Sequence, residues 1–315
     1  MATLVAEPRR WTPSVAPATR LRATMAAVRL SFTWFGVRKS LSAEQKAQAA
    51  EAFHAEGTFL SAGKKLVDTQ HAAFKAVTSV RTQVLHYWRS LTVPFPEAGI
   101  RLIRREEITT FDARLTSLRQ ELAAAVAGLD EQFGEIQAAA QERLGRLYNR
   151  SDYPQSLVGL FAVSWDYPSV EAPSYLRQLS PALYEAEARR VTARFEEAVQ
   201  LAETAFCEEF GKLLKHLSER LAGNDDGRPK VFRDSAVENL TEFFERFRHL
   251  NVRSSEQLDQ LVAQAQNVVR DLRPQQLRDD QPLRQRIAGQ LAAVQSQLDG
   301  LLVDRPRRNI LRRAV

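Results

Sequence analysis

The residue types that could carry out chemistry are few in this chain and are scattered along it. Asp68 and His71 lie one helical turn apart and could share a metal ion, but two ligands are fewer than a metal site needs. A hydrogen bond between them, or a role at a helix N-terminus, is the favoured interpretation. Cys207 is the single cysteine, and its acidic neighbours Glu208 and Glu209 disfavour a reactive thiolate. We expect a packed thiol there and no intramolecular disulfide.

Sequence motifs that mark active sites are absent as well. The sequence contains no Gly-x-x-x-x-Gly-Lys loop, no Gly-x-Gly-x-x-Gly, no Gly-x-Ser-x-Gly elbow and no His-Glu-x-x-His pair. Carboxylates such as Glu185 and Glu187 alternate with arginines, which is typical of a solvated helix face. We therefore predict no catalytic residue, no metal ligand and no cofactor, and a protein that is not an enzyme.

A group of aromatic residues could offer stacking surfaces for nucleic-acid bases. Few basic residues accompany the group, and the nearest are Arg29, Arg38 and Lys39. Packing of these aromatic side chains in a core is therefore the favoured interpretation. The group comprises Phe32, Trp34, Phe35, Phe161, Trp165 and Tyr167.

The net charge of +6 is concentrated at the two ends of the chain. Residues 1–22 carry +3 and residues 304–315 carry +4, so the residues between them carry −1. A broad basic face for nucleic acid is therefore not required by the composition. The C-terminal tail is still a candidate for contact with anions or nucleic acid. The arginines concerned are Arg305, Arg307, Arg308, Arg312 and Arg313.

Composition and apolar spacing predict long helices. Gly and Pro, the two residues that most disfavour the interior of a helix, number only 13 each among 315 residues. Apolar residues recur at heptad spacing over 108–147, with one irregular step, and again over 184–221. Two helices of matched length predict an antiparallel coiled-coil hairpin within one chain, although a parallel homodimeric coiled coil is the alternative. Three shorter amphipathic helices, at 235–250, 254–272 and 281–303, predict a C-terminal bundle.

Two short segments predict β-strands. Apolar and polar residues alternate over 28–34, and β-branched and aromatic residues are enriched over 157–165. The two segments either pair with each other, or 157–165 covers the end of the coiled coil alone. The predicted fold is mainly α: an elongated antiparallel coiled-coil hairpin with a small two-strand β element and a C-terminal helical bundle.

This organisation divides the chain into five parts. They are a disordered basic arm at 1–22, a region of strand and helices at 23–106, the hairpin with its strand-containing tip at 107–222, the bundle at 230–303 and a basic tail at 304–315. No apolar run reaches the roughly 20 residues of a membrane span, and no signal peptide is recognisable. We expect no membrane partner and, with a single cysteine, a cytoplasmic protein.

Residues 30–41 resemble the opening of an uncharacterised bacterial and phage family, in which a strand ends in Trp-x-Gly-x-Arg-Lys-x-Leu. The matching positions here are Trp34, Gly36, Arg38 and Lys39. Further similar pieces follow in the same order: Lys64–Asp68, the long helix predicted from residue 108 onward (after a connector with Pro94 and Pro96), Phe161–Val163, Phe232–Ser235 and Leu250-Asn251. Genes of that family often lie beside a MoxR-type AAA+ ATPase and a von Willebrand factor A (VWA) domain protein, on phages, plasmids and other mobile elements.

The resemblance implies a non-enzymatic helical adaptor that works with an AAA+ ATPase and a VWA-domain protein. Long helix faces suit such a role because they offer docking surface without a pocket. The alternative is a nucleic-acid-associated protein of a phage or antiviral defence system that uses its basic terminal arms. Both hypotheses are compatible with an oligomeric protein.

Overall fold

The computed structural model of the chain describes residues 15–222, 235–270, 272 and 274–303. The described part is mostly helical, as predicted, and it contains a small antiparallel sheet. The predicted tail at 304–315 and the first 14 residues of the predicted arm lie outside it. None of the described helices combines the length and the apolar character needed to cross a bilayer.

The described residues contain the following elements. The helices are α1 (Pro17–Thr24), α2 (Ala43–Glu51), α3 (Ala72–Ser90), α4 (Ile108–Glu131), α5 (Phe133–Leu144), α6 (Leu176–Leu179), α7 (Pro181–Ala222), α8 (Ser235–Leu250), α9 (Glu256–Val269), α10 (Pro274–Asp279) and α11 (Gln281–Val303). The strands are β1 (Met25–Thr33), β2 (Arg38–Ser40), β3 (Gly63–Lys65), β4 (Thr92–Pro94), β5 (Ile100–Arg104) and β6 (Ala162–Asp166).

The chain forms two compact units, and each is assembled from separated segments. The first unit comprises Met1–Ala27, Leu91–Arg104 and Ser169–Val315, and the second comprises Val28–Ser90 and Arg105–Pro168. The sequence gives no sign of this interleaving, because both units use the same kinds of amphipathic helix.

Helix α7 organises the first unit, where it packs against α1, α8 and α11. Its apolar stripe is buried at the heptad positions that the sequence indicates, such as Phe195 and Phe210. The Phe210 ring stacks on Phe243 of α8, with 5.2 Å between the ring centroids. The core of this unit is therefore built from helix-on-helix packing with a central cluster of aromatic rings.

Helix α1 is part of the first unit, although the sequence predicts a disordered arm over 1–22. Leu21 is buried at 2% exposure, and the Arg20 guanidinium donates a hydrogen bond to the carbonyl oxygen of Val252 at 2.5 Å. Pro17 begins the helix, where its missing N–H is tolerated. These long-range contacts order residues 17–22, and a search for local apolar periodicity does not detect them.

The second unit is organised around α3 and α4, which pack against each other. α4 buries Phe111, Leu115 and Leu122 along the predicted heptad stripe. The predicted continuous helix over 108–147 is interrupted at Gln132, where the backbone leaves the helical region at φ −94° and ψ 2°. This break falls at the one irregular step of the heptad pattern.

The antiparallel hairpin of the two long helices is not confirmed. α4 packs against α3 within one unit, while α7 packs against α11 and α8 within the other. An apolar stripe can be covered by any helix with a matching stripe, and α3 and α11 both have one. Val77, Val80 and Val84 supply the stripe of α3.

Of the two alternatives for the segment 157–165, pairing with the segment 28–34 is the one observed, and it joins residues 29–33 to residues 162–166. β1 pairs antiparallel with β6, with Phe32 opposite Val163 and Leu30 opposite Trp165. The sheet is larger than predicted, because β4 and β5 extend it in the order β4-β5-β1-β6. β2 and β3 form a separate two-stranded sheet.

Candidate functional site

The residues of the family-like motif lead into the two-stranded sheet, which we call the stem (β2 and β3). Lys39 lies directly opposite Lys64 in the antiparallel register, and Arg38 lies directly opposite Lys65. The stem therefore brings together two sequence segments that the resemblance singles out separately. The residues between its strands, 41–62, form what we call the insert, which contains α2 and the 3₁₀ helix Gly57–Phe59.

Asp152 anchors one face of the stem. Its carboxylate lies 2.6 Å from Nζ of Lys39 and 2.5 Å from Nζ of Lys64. The Lys64 side chain is only 6% exposed, whereas that of Lys39 is 56% exposed. Nζ of Lys64 also donates a hydrogen bond to the carbonyl oxygen of Leu147 at 2.6 Å. Two like charges directly opposite each other repel, and the shared carboxylate compensates for this repulsion.

The segment that carries Asp152 is held by aromatic packing. Tyr153 is buried, and its ring stacks on Tyr148 with 5.3 Å between centroids. Hydrogen bonds from Lys39 and Lys64 to the carboxylate lower the pKa of Asp152 from its usual value. The carboxylate is thus charged at neutral pH and is fixed against the stem.

The backbone of the insert is ordered by local hydrogen bonds. Ser42 and Gln45 form the capping box that starts α2. After the helix, the N–H of Ala55 donates to the carbonyl oxygen of Ala50 at 3.0 Å. Gly57 then lies against α2 so closely that a Cβ atom there would come within 2.9 Å of the Ala47 backbone. The helix itself ends at Glu51.

Two phenylalanines on the insert are almost fully exposed. Phe53 is 80% exposed and Phe59 is 88% exposed, the two highest values among the large exposed apolar residues of the described chain. Every other phenylalanine in the described part is buried or half-buried, whereas these two rings are left in contact with solvent. Apolar periodicity does not indicate Phe53 and Phe59, because they do not belong to a repeating stripe. The sequence feature that could have indicated them is the presence of two aromatic residues on either side of Gly57 in an otherwise mostly polar segment.

Among the other conspicuous residues of the sequence, Trp34 and Trp165 have structural roles. The Trp34 ring packs edge-on against Phe161, with centroids 4.8 Å apart, and the Arg81 guanidinium lies 4.6 Å from the Trp34 ring. The Trp165 indole N–H donates to Asp112 at 2.7 Å. Gly36 is exposed, and a Cβ atom there would approach only a carbonyl oxygen at 3.9 Å.

The Asp68 side chain is engaged by an arginine and by a backbone N–H. Asp68 accepts hydrogen bonds from Arg143 at 2.7 Å and from the N–H of Gln70 at 2.9 Å. The Arg143 hydrogen bond is the main cause of the lowered pKa of the Asp68 carboxyl. Within the described ranges, no group of three His, Cys, Asp or Glu side chains could hold a metal ion. Cys207 is buried, as predicted.

The five candidate arginines of the tail, Arg305 to Arg313, lie outside the described residues. Comparison of the chain with protein-family models, with curated proteins and with solved structures gives no match.

Proposed function

We propose that this chain is a non-enzymatic helical adaptor and that the insert is its docking element. The observation that carries the proposal is the exposure of Phe53 and Phe59 on an ordered backbone. A protein that leaves two phenylalanines in water loses the free energy of burying them. That loss is explained if another protein covers both rings.

The energetics of association agree with this role. Burying one phenylalanine side chain contributes about 1.5–3 kcal/mol, and a few aromatic anchors dominate many protein interfaces. The capping box and the packing of Gly57 hold the insert in one conformation. Because the backbone is already ordered, less conformational entropy is lost when a partner binds.

The partners we propose are those that the family resemblance implies, a MoxR-type AAA+ ATPase and a VWA-domain protein. An adaptor of this kind would belong to a phage, plasmid or defence system. A single cysteine favours a reducing compartment, so the proposal places the assembly in the cytoplasm.

A binding assay with the two purified partner proteins tests the proposal. The double variant Phe53→Ser, Phe59→Ser should lose about 2 kcal/mol or more of binding free energy, roughly 30-fold in affinity. Its circular dichroism and melting temperature should match those of the original chain, because neither ring is buried.

The matched control replaces two exposed leucines of the first unit, Leu179→Ser and Leu183→Ser, which are 74% and 59% exposed. This variant should bind both partners as the original chain does. Equal loss of affinity in the two double variants would contradict the assignment of docking to the insert. If the original chain bound neither protein, the adaptor proposal itself would fail.

A further inference from the structure

The solvent-facing side of the stem presents two positive charges side by side. Arg38 and Lys65 are directly opposite in the antiparallel register, and directly opposite side chains lie on the same face. Both residues are exposed. Within the part of the chain that the structure describes, neither the Arg38 guanidinium nor the Lys65 ammonium has a hydrogen bond, ion pair or ring contact.

On the other face of the same two strands, a similar pair of positive charges is neutralised by a carboxylate. There, Lys39 and Lys64 are also directly opposite, and Asp152 lies between their ammonium groups. Like charges placed directly opposite on neighbouring strands destabilise a sheet. One face of the stem therefore contains its counter-ion, while the other face presents the same arrangement of charge without one.

We infer that Arg38 and Lys65 bind the carboxylates of an acidic segment in a protein partner. The inference rests on the proposed function and names the chemistry of the partner surface. A guanidinium donates two parallel hydrogen bonds to a carboxylate, and the adjacent ammonium adds a second positive charge. The partner's carboxylate takes the place that Asp152 takes on the opposite face.

The insert favours an acidic protein segment over nucleic acid. Residues 41–62 contain Glu44, Glu51 and Glu56 but only one basic residue, Lys46, so the insert carries a charge of −2. A long phosphate backbone that crossed this region would meet repulsion from the insert. A partner whose short acidic segment lies beside an apolar surface avoids this repulsion, because its acidic part contacts the stem and its apolar part contacts the exposed rings of the insert.

Binding of two labelled probes to the full chain tests the inference. The probes are a hexaglutamate peptide and a short oligothymidine, measured by fluorescence anisotropy at low and at physiological salt. The stem variant, Arg38→Gln with Lys65→Gln, is compared with a control that also removes one Arg and one Lys. The control, Lys75→Gln with Arg89→Gln, changes exposed residues of α3 in the same unit.

We expect the peptide to bind the original chain and the control equally, and the stem variant about tenfold or more weakly. Without any probe, the stem variant should melt at a higher temperature than the original chain, because repulsion between the two cations is removed. The control should not show this rise. Equal peptide affinity in the stem variant and the control would overturn the inference. Oligothymidine binding that depends on Arg38 and Lys65, without peptide binding, would also overturn it and indicate a phosphate site.

The same variants separate this inference from the proposed function. If the stem variant binds the ATPase and the VWA protein as tightly as the original chain, the inference is wrong and the adaptor proposal stands. If the original chain binds neither protein but binds the peptide through Arg38 and Lys65, the adaptor proposal fails and the anion site stands.

Discussion

Asp152 is the residue on which the stem depends most directly. Its side chain is 3% exposed and pairs with the buried Lys64. Replacement of Asp152 by Asn would leave the Lys64 charge buried without this counter-ion, next to neutral acceptors such as the Leu147 carbonyl oxygen. We expect the free energy of unfolding to fall by about 3 kcal/mol, measured by urea denaturation.

The control for this substitution is Asp166→Asn. Asp166 pairs with Arg29 on the surface, where both side chains are about half exposed. Exposed ion pairs contribute little to stability because water already screens the charges. We therefore expect no measurable change in the control, and an equal effect of the two substitutions would contradict the role given to Asp152.

The same carboxylate makes stability depend on pH. The pKa of Asp152 is lowered in the folded chain, first by the Lys39 hydrogen bond and then by that of Lys64. Its stabilisation is therefore fully present above the unfolded pKa, about 3.9, and is lost as pH falls through the lower folded pKa. We expect the difference in unfolding free energy between the original chain and Asp152→Asn to shrink below about pH 4. A difference that stayed constant down to pH 2 would contradict this assignment.

The sequence predicts some residues of the candidate site but not their arrangement. Arg38 and Lys39 are selected because they belong to a recognisable motif. Asp152 is not selected, because it lies in a connector without periodicity and its partners are 113 and 88 positions away along the chain. Ion pairs between distant segments depend on the tertiary fold, and local spacing does not encode them.

At the scale of elements, Gly57 determines how the insert packs. A Cβ atom there would meet backbone atoms of Ala47 at 2.9 Å, and backbone cannot move aside as a flexible side chain can. We expect Gly57→Ala to destabilise the chain by about 1–3 kcal/mol and to weaken partner binding, because Phe59 would shift. Thermal melting and the partner assay measure these effects.

The matched control is Gly128→Ala in α4, where an added Cβ atom meets nothing within 4 Å. Alanine is a better helix former than glycine, so this variant should be more stable by about 1 kcal/mol. The two glycine substitutions should therefore change stability in opposite directions. A similar loss in both would mean that the close approach at Gly57 is not the cause.

The sequence predicts the helices and their buried faces better than it predicts which helices pack against each other. The stripe of α4, including Leu115 and Leu122, is buried as its spacing predicts, and so is the stripe of α7. The predicted hairpin is not confirmed, because α4 packs against α3 and α7 packs against α11. Periodicity identifies the face that a helix buries, but it does not identify the helix that covers it.

At the scale of the whole molecule, the basic tail separates the two functional hypotheses. Deleting residues 304–315 removes +4 of the net charge of +6. Under the adaptor proposal, binding to the ATPase and the VWA protein should survive the deletion. Under the nucleic-acid alternative, DNA affinity at low salt should fall sharply and its dependence on salt should become shallower. Parallel pull-down and gel-shift assays distinguish these outcomes.

The interleaving of the two units has a consequence for synthesis on the ribosome. The second unit is complete once residue 168 has emerged, but the first unit needs residues from both ends of the chain. Arg20 and its hydrogen-bond partner Val252 are separated by 232 positions, and at about 5–20 residues per second the earlier segment waits more than about 10 s. Until α7 has emerged, Leu21 and Met25 also lack the helix that α1 packs against. Chaperones that bind apolar segments should therefore capture the nascent chain at α1 and release it only after α7 has been translated.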